Sequence, residues 1–306
     1  QELLNRLGDG ATEVPFVWFW PRGAAWAGLL THDVETQAGL DLLPAVLDWN
    51  DARQIPASVQ LIPEERYRIT PALIDSLRAR GVDVNLHGLD HRGNLFRDRQ
   101  SFRRQAQRIE EYLRKYEIDG FRSPCMYRNL EWLSELTLSF DMSAPNVAHL
   151  EPQRGGCCTI FPFFVGSLLE LPLTMIQDYA LFHFLGDFST RIWEQQLDLI
   201  TSRHGLVSII CHPDYLNTPR AREVYEQLLD LLAARARQDH GWLATGAQVN
   251  RWWRTRQQIR VVADPFATHT GGWLLEGEGA DQAALAFVRR EENRLVYRLA
   301  HPPLNP

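Results

Sequence analysis

Between Ala27 and Val261, short apolar or β-branched runs alternate with longer amphipathic patterns. That alternation is the signature of repeated βα units and puts a parallel sheet at the centre of the fold. The runs Ala27 to Glu35, Ala57 to Ile62, Val82 to Leu86, Gly120 to Arg122, Leu171 to Ile176 and Leu206 to Cys211 read as strands. Helices are expected between them. One runs through Leu40, Leu43 and Leu47 to Asn50, and a second from Thr70, with Pro71 in its first turn, to Gly81. Others follow from a Ser101 cap through Ile109 and Leu113, through Trp193, Leu197 and Ile200, and from Arg220 to Arg237. A last βα-like segment ends at Arg251-Trp252-Trp253-Arg254. From Ile259 onward the patterns are short and extended, at Trp273 to Leu275, Leu285 to Val288 and Leu295 to Leu299, with Glu291-Glu292-Asn293 as a hairpin turn. The expected organisation is an α/β barrel over residues 1–258. A small β-rich C-terminal appendage over 259–306, or the start of a further domain, follows it.

Composition removes several function classes. A chain of 306 residues with 45% hydrophobic and 23% charged side chains buries a sizeable core and is not disordered. Its net charge of −6 provides no positive field for a polyanion, so nucleic acid is not an expected partner. The most apolar stretch, Ile160 to Ile176, is broken by Pro162, Glu170 and Pro172 and falls short of a membrane span. Cys125, Cys157, Cys158 and Cys211 form neither a disulfide framework nor a C-x-x-C site, which favours a reducing compartment; the location is left open, with the cytoplasm favoured for the chain as given. The chain starts at Gln1 without a methionine and without a basic-then-apolar leader, so an upstream signal stays open.

The chemistry concentrates where strands end, which in a parallel β/α barrel is where loops converge on one site. Asp33, Val34 and Glu35 alternate, so an extended backbone turns both carboxylates to one face. His87 and His91 have an H-x-x-x-H spacing that lets two imidazoles reach one metal, with Gly88 and Gly93 suited to a tight loop and Asp90 available to orient a ring. Arg122 is suited to hold a carboxylate bidentately, and Pro124 to stiffen its turn. Asp178-Tyr179 and His212-Pro213-Asp214 close the series, the histidine as a candidate general acid with a carboxylate beside it. Each motif alone has a bland reading as a solvated strand end or a core histidine. Their joint occurrence at successive strand ends does not.

THDVE (31–35), HGLDH (87–91), FRSP (121–124), QDY (177–179) and CHPD (211–214), in this order, resemble the motif series of the polysaccharide deacetylase family, the NodB-homology domain or carbohydrate esterase family 4. The resemblance covers residues 15 to 256. It implies a distorted (β/α)7-type barrel, one divalent metal ion, most often Zn2+, and hydrolysis of acetyl groups, most commonly N-acetyl, from a glycan. By that resemblance Asp33 is the general base, and Glu35, His87 and His91 are the metal ligands. His212 is the general acid, Arg122 holds Asp33, Asp178 tunes His212, and Tyr127 and Tyr179 line the groove. Two departures stand out. Val34 separates Asp33 from Glu35 where most members have adjacent aspartates, a pattern like that of a divergent branch, and Gly88 stands where many carry threonine.

Rival readings keep or discard this apparatus. An amidohydrolase of the same fold would act on a small non-peptide C–N bond. A catalytically silent carbohydrate-binding protein would keep only the groove. A non-haem iron oxygenase also uses two histidines and one carboxylate, but its usual all-β frame disagrees with the βα alternation. For a glycan, Trp18, Trp20, Trp26 and Trp132 are candidate stacking platforms. The sequence leaves the oligomeric state, the acetylated position and the native metal undetermined.

Overall fold

The computed structural model describes residues 13–146, 156–264, 272–292 and 294–300. Its strands are β1 (Val14–Val17), β2 (Ala27–Val34), β3 (Ala57–Leu61), β4 (Asp83–Leu86), β5 (Gly120–Phe121), β6 (Phe140–Asp141) and β7 (Phe163–Val165). They continue as β8 (Leu168–Glu170), β9 (Leu206–Cys211), β10 (Trp242–Leu243), β11 (Arg260–Ala263), β12 (Trp273–Glu276), β13 (Leu285–Glu291) and β14 (Arg294–Leu299). The helices are α1 (Gln37–Asp51), α2 (Pro71–Ala79), α3 (Arg99–Tyr116), α4 (Leu130–Leu133), α5 (Arg191–Thr201), α6 (Pro219–Gln238) and α7 (Gly246–Gln258). Two compact units result: Ala27–Asn250, and the described parts of Gln1–Trp26 with Arg251–Pro306.

The larger unit is a curled sheet. Parallel strands follow one another across it in the order β9, β2, β3, β4, β5, β6, β8, with β10 also parallel to β2 and β7 antiparallel to β8. Every residue of β2, β3 and β9 is buried, the polar ones included, as in a parallel sheet covered on both faces. One apolar core packs Val34, Val59, Leu61, Val84 and Phe121 against Leu43, Leu47, Ile74, Leu77, Ile109 and Leu113 of α1, α2 and α3. Threonine caps start three of the helices: Thr36, Thr70 and Thr218 each accept the backbone N–H of the residue three positions on, worth about 1 kcal/mol apiece.

Two expectations are corrected. α3 is capped by Asp98, not Ser101: the Asp98 carboxylate accepts both the Ser101 N–H (2.7 Å) and its hydroxyl (2.8 Å), and its charge suits the positive helix end better. The run Leu171 to Ile176 is not a strand. β8 stops at Glu170, and Pro172, which has no N–H to give, breaks the ladder. The segment instead closes the sheet irregularly: Leu171 N–H donates to the Asp141 carbonyl (2.8 Å), Leu173 N–H to the Ala144 carbonyl (3.0 Å), and Ser208 N–H to the Thr174 hydroxyl (2.9 Å). The barrel is distorted at this seam.

In the smaller unit the C-terminal strands take in an N-terminal one. β1 pairs antiparallel with β13, which pairs antiparallel with β14, while β11 and β12 form a separate hairpin. The arginine- and tryptophan-rich end of α7 secures that N-terminal strand: Arg256 donates to the Val17 (2.7 Å) and Trp18 (2.8 Å) carbonyls, and Trp252 Nε1 to the Phe19 carbonyl (2.8 Å). The turn expected at Glu291-Glu292-Asn293 falls between β13 and β14, with Asn293 outside the described residues.

Candidate active site

At the carboxyl end of β2 the backbone alternation acts as the sequence implies. Val34 is fully buried in the core, while Asp33 Oδ2 and Glu35 Oε1 lie 3.7 and 3.9 Å from one atom, His87 Nε2. His87 follows β4 directly, and its N–H is held by the Leu61 carbonyl of β3 (2.8 Å). Its Nδ1 lies 3.0 Å from the Arg122 carbonyl, which fixes the proton on Nδ1 and leaves the Nε2 lone pair facing the carboxylates.

His91 reaches the same point from a tight loop. Its own φ is +57°, and the loop begins at Gly88 with φ +63°. A Cβ at Gly88 would stand 2.5 Å from Pro124 Cγ, so the departure from threonine is a packing requirement: Pro124 occupies that space. Asp90 does not orient an imidazole. It accepts the Arg92 N–H (3.0 Å) and lies 3.5 Å from Arg92 Nε.

Glu35, His87 and His91 each offer a ligand atom, and those atoms all lie within 4.8 Å of one another. Among the described residues neither of these buried Nε2 atoms has a well-aligned hydrogen-bond partner, although His91 Nε2 is 2.8 Å from Glu35 Oε1. Two orphaned imidazole nitrogens and a carboxylate aimed at one point fit a divalent cation, because leaving them unmet costs what a lone pair loses on burial.

Arg122, fully buried after β5, joins the site to the barrel interior. Its Nη1 donates to Asp33 Oδ1 (2.7 Å) and to the Thr31 hydroxyl (2.7 Å), and its Nε to the Met142 carbonyl (2.9 Å). Burial raises the Asp33 carboxyl pKa, but the Arg122 guanidinium, with His212, outweighs it and holds Asp33 below the usual carboxylate range.

His212 follows β9. Its Nδ1 and its backbone N–H both meet the buried Asp178 carboxylate at 2.6 Å, and its Nε2 stands 3.6 Å from Glu35 Oε1. Burial lowers its pKa, but Asp178 raises it more, with Glu35 and Asp33 adding to the effect, and the imidazole is pushed up to about 9. Asp214 does different work from the histidine-orienting role its motif implies: it accepts the Glu35 N–H (3.1 Å) and the Thr36 hydroxyl, pinning the ligand's backbone at the start of α1.

These groups line a cleft of about 870 Å³, with Asp33, Glu35, His87, His91 and His212 on its floor. Tyr127 and Tyr179, both exposed, line it together with Phe96 and Tyr215. The tryptophans do not. Trp18, Trp20 and Trp26 are buried, and Trp132 packs on Phe96 and Phe102. Tyr215 was legible only as a neighbour of the His212 motif, and Phe96 carried no signal separating it from core.

No protein-family model matches the chain, and no curated protein does. Solved structures do. A protein of Mycobacterium smegmatis assigned to the polysaccharide deacetylases superposes with TM-score 0.64 at 19% identity, over 81% of this chain and 96% of its own. The fold is that of the polysaccharide deacetylases. A peptidoglycan N-acetylglucosamine deacetylase aligns at TM-score 0.48 and 15% identity, over 76% of this chain and 91% of its own. A peptidoglycan deacetylase of Bacillus subtilis aligns at 0.47 and 14%, over 77% and 95%. The Mycobacterium likeness carries the assignment of the fold. Among the described residues no helix is long and apolar enough to cross a membrane.

Proposed function

We propose that this chain is a metal-dependent hydrolase that removes acetyl groups, N-acetyl above all, from a glycan. The observation that carries the reading is the convergence of two buried imidazole nitrogens and the Glu35 carboxylate on one point, with Asp33 and His212 close by. Glu35, His87 and His91 would hold the ion, with zinc the best match to two imidazoles, one carboxylate and open positions. The chemistry it supplies there is Lewis-acid polarisation of the acetyl carbonyl.

The remaining work belongs to side chains. Asp33, kept ionised by Arg122, takes a proton from the attacking water as general base. His212, kept protonated by Asp178, gives its proton to the departing amine, which is too basic to leave as an anion. Water and amide become acetate and amine, with one proton taken and one returned. Tyr127 and Tyr179 offer flat faces on which a sugar ring can lie.

The test compares wild type with the His87→Ala, His91→Ala double variant after identical zinc loading and desalting. About one metal per chain in wild type and none in the variant, with acetate released from N-acetylglucosamine oligomers by wild type alone, is the expected result. Equal metal content in both sinks the ligand set. Metal without acetate release from any acetylated glycan returns the chain to a silent carbohydrate binder.

A further inference from the structure

One pair of acidic groups lies at the same end of the sheet as the candidate site and has no part in the reaction just described. Asp141 ends β6 and Glu170 ends β8, directly opposite in the parallel register. Both are fully buried, and neither has a salt-bridge partner among the described residues. Paired in the register of adjacent parallel strands, their side chains leave the sheet on the same face, side by side. Two carboxylates cannot both stay ionised at that range without water or a paired cation, so one proton must lie between them.

The surrounding donors decide which group keeps it. Asp141 accepts the Ser143 hydroxyl (2.7 Å) and the Ser143 N–H (3.3 Å), which favour its anion. Among the described residues Glu170 accepts only the Ala144 N–H, on Oε1 (2.8 Å), and its buried Oε2 has no donor. Burial and the Asp141 charge raise Glu170 well above the carboxylate range. Glu170 is therefore the acid and Asp141 the base of the shared hydrogen bond. Arg122 also acts on Asp141, Arg128 feels both carboxyls, and Cys157 is the further titratable group that acts on Glu170.

What the pair grips is residues 142–144. The Met142 carbonyl accepts Arg122 Nε (2.9 Å), and the Ser143 hydroxyl, while donating to Asp141, accepts the Ser123 N–H (2.8 Å). Both tethers end on the FRSP segment, and Arg122 ends on Asp33. We propose that Asp141 and Glu170 form a positioning pair, joined by one shared proton, that clamps residues 142–144 and through Met142 and Ser143 fixes Arg122 and hence the aim of Asp33. Neither is a catalytic residue, since neither lines the cleft. The kinetic consequence rests on the hydrolase reading; the shared proton does not.

Two measurements separate these. In infrared spectra at neutral pH, wild type is expected to show the carbonyl stretch of a protonated carboxyl group that Glu170→Gln lacks. No difference overturns the proposal whatever the enzyme does. In acetate release, Glu170→Gln, whose amide N–H donates to Asp141 in place of the shared proton, is expected to keep kcat within about 3-fold. Glu170→Ala and Ser143→Ala are expected to lower kcat on the order of 10-fold to 100-fold at unchanged KM and metal content. Ser143→Ala leaves both carboxyls in place, so it reads the clamp even where Glu170→Ala fails to fold. Equal damage from Gln and Ala at position 170, or wild-type kcat in Ser143→Ala, overturns the clamp. A wild type that releases no acetate defeats the hydrolase reading and leaves the infrared result to decide the pair.

Discussion

Asp33 and Glu170 are buried carboxyl groups at the ends of strands in one sheet, and they are pushed in opposite directions. Burial penalises both charges alike. Asp33 faces a guanidinium at 2.7 Å and stays an anion; Glu170 faces another carboxyl group and keeps its proton. The comparison teaches that depth alone does not set the chemistry of an acid, because the sign of its nearest neighbour decides whether the desolvation penalty is met or avoided. One environment holds a base ready, and the other makes a neutral hydrogen-bond donor for scaffolding.

The comparison breaks most readily at Asp33. Asp33→Asn keeps an acceptor for Arg122 and loses the base, so acetate release should fall by about 100-fold to 10,000-fold while metal content by elemental mass spectrometry stays at the wild-type level. Retained turnover would end the assignment of Asp33 as base. Arg122→Met removes the cation instead. It should lower unfolding stability in urea by about 3–5 kcal/mol at neutral pH, because Asp33 is left as an uncompensated buried charge.

That variant also reverses a slope. With its folded pKa depressed, Asp33 in wild type contributes stability that is present above its unfolded value of about 3.9 and lost as pH falls through the folded one. Without Arg122, burial raises Asp33, and stability should instead fall as pH rises above about 4. An unchanged slope would show that the guanidinium is not what keeps Asp33 ionised.

A smaller effect is expected at Asp178→Asn, which removes the anion holding the proton on His212. Turnover should drop on the order of 10-fold to 100-fold, and the alkaline limb of its pH profile should move down from about 9. An alkaline limb that stays in place would detach His212 from that limb. The mildest test is Glu170→Gln. Because the folded pKa of Glu170 is raised, wild type should lose stability as pH climbs above the unfolded value of about 4.3, and the variant should lose less over the same range. Parallel stability curves would leave the two carboxyls without the contrast drawn here.

The site was more legible than its supports. THDVE, HGLDH, FRSP and CHPD each sit at a strand end, where alternation and short loops leave few directions for a side chain, and Asp33, Glu35, His87, His91, Arg122 and His212 lie close together there. Asp141 was invisible because β6 is two residues long and two residues carry no period. Aromatic residues misled for a related reason: a tryptophan's size serves a core and a sugar platform alike, and only burial separates Trp20 from Tyr179. The motif CHPD brings His212 and Asp214 close in sequence, yet the rigid turn sends Asp214 to the Glu35 backbone and leaves Asp178 to hold the histidine.

By itself the sequence determined the βα alternation, the strands β2, β3, β4 and β9, and the identity of the groups that close them, because periodicity and residue chemistry are local properties. Only the tertiary structure decided how the sheet closes at Thr174, that β1 joins β13, and that Asp141 and Glu170 meet. Those contacts join residues far apart in the chain. Their energies come from desolvation and from the sign of neighbouring charges, which no local pattern records.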